Sequence, residues 1–191
     1  MSVEMRTNLP AVEGDRIRRL RRCEYDQLVD AGVFAHEAVE LIRGVIVRMS
    51  PQGVPHAGPI EVLTEMFVPP LVGRARVRVQ LPLVAPDESE PEPDLAVVPI
   101  VEDPHRAHPE WAHLVVEVAR TSQAYDRDTK GPLYAEMGVP EYWLVDVAAR
   151  AVERFLEPVS GRYRRVEILT TGTLSPLAFP DVTISLGRIL P

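Results

Sequence analysis

The middle of the chain carries two continuous apolar runs of strand length, at residues 95–101 and 114–118, and a third segment at residues 142–147 that also predicts a buried strand. Runs of this kind are typical of central strands that are covered on both faces. Residues 76–84 instead alternate apolar with polar side chains, which indicates a half-buried strand. Residues 39–49 indicate a strand pair or one long bent strand. The pattern therefore predicts a sheet whose central strands are buried.

Helical periodicity appears at three places along the chain. Residues 23–31 carry apolar side chains at helical spacing. Residues 57–72 form a second candidate helix, which Pro69 and Pro70 should end early because proline disrupts a helix interior. Residues 128–137 form a third, in which Pro132 is tolerated near the first turn and which Gly138 ends. These helices are expected to cover the sheet.

The remaining segments complete a single-domain picture. Residues 152–156 and 163–169 predict a hairpin near the C-terminus, around a Ser-Gly turn. The sum of these elements is an α/β (α+β) fold with a mixed central sheet flanked by helices and extra β elements near both ends. Residues 23–191 are expected to form one domain. Residues 1–22 are polar and rich in arginine, which favours a flexible, solvated lead-in over a nucleic-acid arm.

Composition narrows the function classes. The chain has 191 residues, is 46% hydrophobic and carries a formal charge of −7. This acidity argues against a protein that coats nucleic acid non-specifically, although it leaves a nuclease possible. The single cysteine, Cys23, excludes an internal disulfide and fits a reducing compartment. We see no secretory signal and no stretch of roughly 18 apolar residues, so we expect a cytoplasmic protein without membrane segments.

Lys130 is the only lysine in the chain, against twenty arginines. Lysine is a compact charge whose pKa burial can move, whereas the guanidinium of arginine is a planar fork that stays protonated. A lysine retained in such a composition therefore suggests chemistry that arginine cannot supply. The alternative is an ordinary surface lysine, which the spacing alone does not exclude.

Two acidic residues stand at the ends of predicted central strands. Glu117 lies inside the apolar run His-Leu-Val-Val-Glu-Val-Ala. Asp94 ends the segment Glu-Pro-Glu-Pro-Asp, which its prolines stiffen, and directly precedes the apolar run at 95–101. A buried carboxylate is costly unless a cation or several donors satisfy it. Two such carboxylates side by side would form a hard-oxygen site for Mg²⁺ or Mn²⁺. The alternatives are a strand-end glutamate paired with arginine and a strand-capping aspartate.

Two further residues are candidates for the same site. Glu40 lies one residue before an apolar pair and is a possible third carboxylate ligand. His56 opens a predicted helix after a loop, where it is a candidate to bind a substrate phosphate or a metal-bound water. A single histidine at a helix start is more often structural, so this assignment rests on its neighbours.

Seven stretches of sequence together resemble one family: Val-Glu-Leu-Ile-Arg-Gly at 39–44, Pro-His-Ala at 55–57, Glu-Pro-Glu-Pro-Asp at 90–94, Leu-Val-Val-Glu-Val at 114–118, Ala-Tyr-Asp-Arg at 124–127, Glu-Tyr-Trp-Leu-Val-Asp at 141–146 and Leu-Ser-Pro-Leu-Ala-Phe-Pro at 174–180. The order resembles that of the Uma-type restriction endonucleases, and the match extends over residues 24–190. The resemblance implies a PD-(D/E)XK nuclease with a restriction-endonuclease-like fold.

The resemblance also implies residue roles. Asp94 matches the aspartate of the Pro-Asp motif, and Glu117 matches the acid of the Glu-x-Lys motif. The lysine of that motif would fall at Ala119, so the resemblance implies that Lys130, in the following helix, supplies it. Glu40 matches the upstream glutamate and His56 the family's histidine. Departures from the family pattern occur at Val45, Arg120, Thr121 and Gly131.

The leading hypothesis is a Mg²⁺- or Mn²⁺-dependent endonuclease that hydrolyses DNA phosphodiesters. In this hypothesis the metal is held by Asp94, Glu117 and Glu40. Lys130 orients the attacking water or stabilises the charge of the phosphorane. His56 belongs to the same site. One alternative is a catalytically degenerate member of the fold that binds nucleic acid or protein, and another is a metal hydrolase of small phosphoesters. We also expect a homodimer, because cutting two strands needs two sites. The apolar C-terminal residues, including Phe179, Ile184 and Leu186, are the surface expected to serve it.

Overall fold

A mixed six-stranded sheet is the centre of the fold, in a computed structural model that describes residues 17–49, 53–86, 88–103 and 105–190. The strands, in chain order, are β1 (Val39–Ile42), β2 (Val45–Arg48), β3 (Arg76–Val79), β4 (Leu95–Val98), β5 (Leu114–Ala119), β6 (Glu141–Asp146), β7 (Ala151–Val159), β8 (Arg162–Leu169), β9 (Thr173–Leu174) and β10 (Ile184–Ser185). The central sheet has the order β3-β4-β5-β6-β7-β8. Its β5–β6 pair is parallel and its other pairs are antiparallel.

Helices lie on both faces of this sheet. They are α1 (Arg22–Asp30), α2 (Val54–Leu71), α3 (Gln123–Tyr125), a π-helical turn (Asp126–Lys130), α4 (Gly131–Glu136) and α5 (Leu186–Ile189). The connection from β5 to the parallel β6 runs through α3, the π-helical turn and α4, because parallel strands need a crossover. The expected class, a mixed central sheet flanked by helices, is therefore confirmed.

Two apolar layers explain the continuous runs in the sequence. On one face, α2 and α5 pack against alternate residues of the central strands, with Phe67 of α2 beside Trp143 of β6. On the other face, α4 covers Val115, Tyr142 and Leu144. Every residue of β4, β5 and β6 is buried. A strand covered on both faces shows no polar alternation, which is why only Glu117 and Asp146 interrupt the apolar residues of 114–118 and 142–147.

The β1–β2 hairpin forms its own two-stranded sheet beside the centre. Gly44 closes the turn with a φ of +74°, and a Cβ there would lie 2.6 Å from the Cβ of Arg19. The hairpin meets the loop before β4 through a backbone bridge between Leu41 and Glu90. Of the two structures expected for 39–49, the strand pair is therefore the one formed.

Several element boundaries differ from the sequence prediction, and the strand expected over 95–101 ends at Val98. The strand expected over 76–84 ends at Val79, because Gln80 has a left-handed φ of +51°. Helix α2 does not end early but continues through Pro69 and Pro70 to Leu71. Both prolines are exposed in the last turn, so the carbonyls they leave unpaired can bond to water.

The helix expected over 128–137 is also different. Helical backbone begins at Gln123, and a π-helical turn precedes α4. The backbone N–H of Gly131 donates to the carbonyl of Asp126, five residues back, and the Tyr142 hydroxyl donates to the same carbonyl at 3.2 Å. Lys130 therefore ends a wide turn instead of lying within the first turn of an α-helix.

The C-terminal segment belongs to the core. Phe179, Ile184 and Leu186 are buried against the α2 face of the sheet, so the expectation that they form an association surface is wrong. Leu177 is 54% exposed. Sequence periodicity did not reveal the short β9, β10 and α5, because two- to four-residue elements carry too few positions to show a period.

The N-terminal lead-in is only partly visible, since residues 1–16 lie outside the described residues. Within the part that is described, the Leu20 N–H donates to the Gly44 carbonyl at 2.9 Å, and α1 begins at Arg22. Among the described helices, none is long and apolar enough to cross a membrane.

Candidate active site

A cavity of about 410 Å³ opens at the place where β1, α2, β5 and the π-helical turn meet the segment before β4. The five residues singled out from the sequence all line it: Glu40, His56, Asp94, Glu117 and Lys130. They come from five separate elements of the chain, so the fold alone brings them together.

Asp94 lies immediately before β4 and is 6% exposed. The β4–β5 register sets Leu95 opposite Val116, so the next position along each strand brings Asp94 beside Glu117. The Val118 N–H donates to Asp94 Oδ2 at 2.8 Å, and His56 Nε2 lies 3.0 Å from Oδ1. The carboxylate is therefore oriented by a backbone donor on one side and an imidazole on the other.

Glu117 is the buried acid of β5, at 3% exposure. Its Oε1 accepts hydrogen bonds from Lys130 Nζ at 3.0 Å and from the Tyr134 hydroxyl at 2.6 Å. The Asp94 N–H approaches Oε2 at 3.4 Å. Alternation along β5 points this side chain to the same face as Val115 and Ala119, which α4 covers.

Lys130 is 5% exposed and lies between two carboxylates. Its Nζ is 3.0 Å from Glu117 Oε1 and 3.0 Å from Glu40 Oε2. Glu40 Oε2 also accepts the Glu92 N–H at 3.1 Å, which ties the β1 hairpin to the segment before β4. The chain's only lysine is thus a buried, doubly paired ammonium, and the surface-lysine alternative is wrong.

His56 lies in the first turn of α2 and is half-buried. The hydrogen bond with Asp94 raises the pKa of His56, while partial burial works in the opposite direction. A raised pKa favours the imidazolium, which neutralises part of the charge on Asp94. His56 is therefore a partner of a candidate metal ligand.

Two residues of the site were not singled out from the sequence. Asp126 is 5% exposed, lines the cavity and accepts a 2.6 Å hydrogen bond from Ser122 Oγ. Tyr134 is fully buried behind Glu117. Their spacing from Lys130, four residues on either side, is a signal that could have found them, because residues four apart share a helix face.

The described lining of the cavity carries an excess of negative charge. Five carboxylates line it, from Glu40, Glu92, Asp94, Glu117 and Asp126, and Lys130 is the buried cation among them. Burial raises the pKa of Glu117 to about 8, against the attraction of Lys130. Burial also raises the pKa of Glu92 and of Asp126.

Lys130 itself stays charged. Burial works to lower its pKa, but Glu117, Glu40 and Asp126 outweigh that effect and hold the pKa well above its ordinary value. One buried ammonium facing several carboxylates leaves uncompensated negative charge, which a further cation would neutralise.

The donor set fits a hard divalent cation. Asp94 and Glu117 offer adjacent carboxylate oxygens at the cavity wall, and oxygen is what Mg²⁺ and Mn²⁺ prefer. In the described ranges, no three His, Cys, Asp or Glu side chains are already grouped as a metal cage. Mg²⁺ usually keeps several waters and takes one or two carboxylates from the protein, so two carboxylates suffice for it.

Comparison with known proteins supports the fold and the family. The model of the Uma2 family, described as "Putative restriction endonuclease", matches residues 23–187. A solved structure from Anabaena variabilis, described as "a putative nuclease belonging to DUF820", is similar to this chain with a TM-score of 0.61 and 18% identity, over 80% of this chain and 89% of that one. At this identity the likeness shows the fold. A comparison with curated proteins gives no match.

Proposed function

Because the chain belongs to the Uma2 family of restriction-endonuclease-type proteins, we propose that it is a metal-dependent endonuclease that hydrolyses DNA phosphodiester bonds. The observation that carries the proposal is the meeting of Asp94, Glu117 and Lys130 in one cavity. Two carboxylates can hold a catalytic cation, and a lysine can stabilise the charge that develops on a phosphoryl group. The matching family supports the choice of reaction, and the geometry supports the choice of residues.

Asp94 and Glu117 would hold the cation, either Mg²⁺ or Mn²⁺. When bound, such a cation polarises a phosphoryl oxygen and lowers the pKa of a water molecule. Val118 N–H and His56 keep Asp94 in one orientation, and Lys130 and Tyr134 do the same for Glu117. Ligands held in this way lose little freedom when the cation binds.

Lys130 would act on the reacting phosphate or on the attacking water. An ammonium group has three N–H donors, and Glu117 and Glu40 accept two of them. The third has no acceptor within the described part of the chain, and Lys130 lines the cavity. That N–H is available to orient the water or to stabilise charge that develops on the phosphoryl oxygens.

Glu40 and His56 would have supporting roles. Glu40 Oε2 holds Lys130 and accepts the Glu92 N–H, which fixes the direction of the ammonium. Its Oε1 has no hydrogen-bond partner among the described residues, so Glu40 can also assist at the metal. His56 would orient Asp94 through the 3.0 Å contact to Oδ1.

The expected polymer substrate is DNA, and two arginines are placed to meet its backbone. Arg48 and Arg120 line the cavity and are exposed. The Arg120 guanidinium has no carboxylate partner among the described residues, whereas Arg48 lies 3.3 Å from Glu37. Arginine side chains at a cavity mouth can neutralise phosphates. The homodimer and the cytoplasmic location stay predictions, and light scattering tests the first.

The proposal is tested by cleavage of supercoiled plasmid with Mg²⁺, with Mn²⁺ and with EDTA. We expect the wild type to cut only with a metal and Asp94→Asn to lose at least 10²-fold in rate, a magnitude typical of a lost catalytic interaction. The matched control is Asp181→Asn, because Asp181 is an exposed aspartate paired with Arg74 outside the cavity. Equal rates for wild type and Asp94→Asn would contradict the proposal.

The same assay separates the two alternatives. A degenerate binding protein would retain DNA in a gel-shift experiment but would not cut it with either metal. A hydrolase of small phosphoesters would turn over bis(p-nitrophenyl) phosphate with a metal and leave plasmid intact.

A further inference from the structure

Tyr134 lies directly behind the candidate metal ligand Glu117. It is completely buried on α4, and its hydroxyl donates to Glu117 Oε1 at 2.6 Å. Lys130 Nζ donates to the same oxygen at 3.0 Å. Among the described residues, Oε1 therefore has two donors, while Oε2 has only the 3.4 Å approach of the Asp94 N–H.

This asymmetry distinguishes the two oxygens of one carboxylate. An oxygen that accepts two close hydrogen bonds has little capacity left for a cation, and the other oxygen lies on the side of Asp94. Resting on the proposed function, we propose that Tyr134 is a positioning residue. It fixes the Glu117 carboxylate so that Oε2 alone is presented to the metal shared with Asp94.

The surroundings of Tyr134 hold the phenol in place. Its ring contacts the Tyr142 ring with centroids 5.3 Å apart, and the Tyr142 ring stacks on Phe155 at 5.2 Å. The Tyr142 hydroxyl donates to the Asp126 carbonyl in the π-helical turn. Tyr142 therefore contacts both parts of the arrangement: the π-helical turn that carries Lys130 and the ring of Tyr134, whose hydroxyl donates to Glu117.

A purely structural role is the competing explanation, because a buried phenol needs a hydrogen-bond partner wherever it lies. Tyr163 provides a matched control. It belongs to the same aromatic group, with its ring 6.2 Å from that of Tyr142, and its hydroxyl donates to the Val139 carbonyl at 2.9 Å. Tyr163→Phe removes an equivalent hydroxyl without contacting Glu117.

The experiment compares wild type, Tyr134→Phe and Tyr163→Phe by plasmid cleavage at saturating Mn²⁺ and by the electron paramagnetic resonance spectrum of bound Mn²⁺. Partners of metal ligands typically contribute 10- to 100-fold to affinity or activity. We therefore expect kcat of Tyr134→Phe to fall about 10- to 100-fold, with unchanged KM for DNA and an altered Mn²⁺ spectrum. Tyr163→Phe should match the wild type in all three.

Each outcome has one meaning. Suppose that the wild type binds Mn²⁺ and cuts DNA. If Tyr134→Phe then has the same kcat and the same Mn²⁺ spectrum as the wild type, this inference alone is overturned. A wild type that neither binds Mn²⁺ nor cuts DNA would overturn the proposed function and the inference with it. If Tyr134→Phe does not fold, a Mn²⁺-bound crystal structure of the wild type decides. Coordination through Glu117 Oε2 alone supports the inference, and bidentate coordination overturns it.

Discussion

Replacing Lys130 by methionine should destabilise the protein much more than the loss of a surface ion pair would. Lys130 is 5% exposed, and its Nζ lies 3.0 Å from both Glu117 Oε1 and Glu40 Oε2. Methionine fills a similar volume without charge, so two buried carboxylates lose their counter-charge. Breaking a buried pair by removing one partner typically costs about 3–5 kcal/mol.

The size of the effect should depend on pH. For a chain of this length about 1 kcal/mol corresponds to roughly 2–4 °C in Tm, so we expect a decrease of about 6–20 °C. Burial raises the pKa of Glu117 to about 8 even with Lys130 present. Without the ammonium, the two buried carboxylates are protonated and neutral at low pH. At high pH they are deprotonated and remain as buried charges without a partner. The decrease in Tm should therefore be larger at pH 9 than at pH 6.

The assay is thermal unfolding followed by circular dichroism in a metal-free buffer. Arg165→Met is the control, because Arg165 is 57% exposed and pairs with Glu167 on β8, and exposed pairs contribute only about 0–1 kcal/mol. The double variant Lys130→Met/Glu117→Gln should recover part of the loss, since it removes one stranded charge. A Tm of Lys130→Met equal to that of the control would refute the reasoning.

Three further predictions follow from the same site. Lys130→Arg should fold and bind Mn²⁺ but lose on the order of 10²-fold in plasmid cleavage, because a misplacement of about 1 Å can cost that much; near-equal rates would remove Lys130 from catalysis. Arg120→Gln should raise KM for DNA and reduce by about 1 the slope with which the logarithm of DNA affinity falls with the logarithm of salt concentration. Arg164→Gln on β8 should change neither quantity. An equal effect of both substitutions would mean that DNA responds to the net charge of the protein and not to Arg120 itself. Calorimetry should show Mn²⁺ affinity rising from pH 6.5 towards pH 8.5, because the cation must displace a proton from Glu117, whose pKa is raised to about 8; a flat profile would contradict this.

Sequence alone predicted the residues whose type conflicts with their surroundings. Glu117 was identifiable because a carboxylate in an apolar strand is costly. Lys130 was identifiable because arginine replaces lysine everywhere else in the chain. Both are buried in the cavity that the fold forms. The family resemblance is confirmed by the match over residues 23–187.

What the sequence could not predict depends on long-range packing. Tyr134 lies among apolar residues of a predicted helix, so that, apart from its four-residue spacing from Lys130, it resembles an ordinary core aromatic. The π-helical turn carries a long-range contact, since the hydroxyl of Tyr142, sixteen residues after Asp126, donates to the Asp126 carbonyl. Ile184 was predicted to lie on an association surface, but it is buried against the α2 face of the sheet. The local sequence pattern does not show that this face, formed by residues far away in the chain, is covered by the C-terminal segment.

The most direct test of the central claim is a crystal structure of the protein soaked with Mn²⁺, with the ion located by its anomalous scattering. We predict a peak between Asp94 and Glu117, at roughly 2.0–2.6 Å from a carboxylate oxygen of each, and no such peak in Glu117→Gln. A wild-type structure with Mn²⁺ bound only elsewhere, or with no peak in the cavity, would contradict the account.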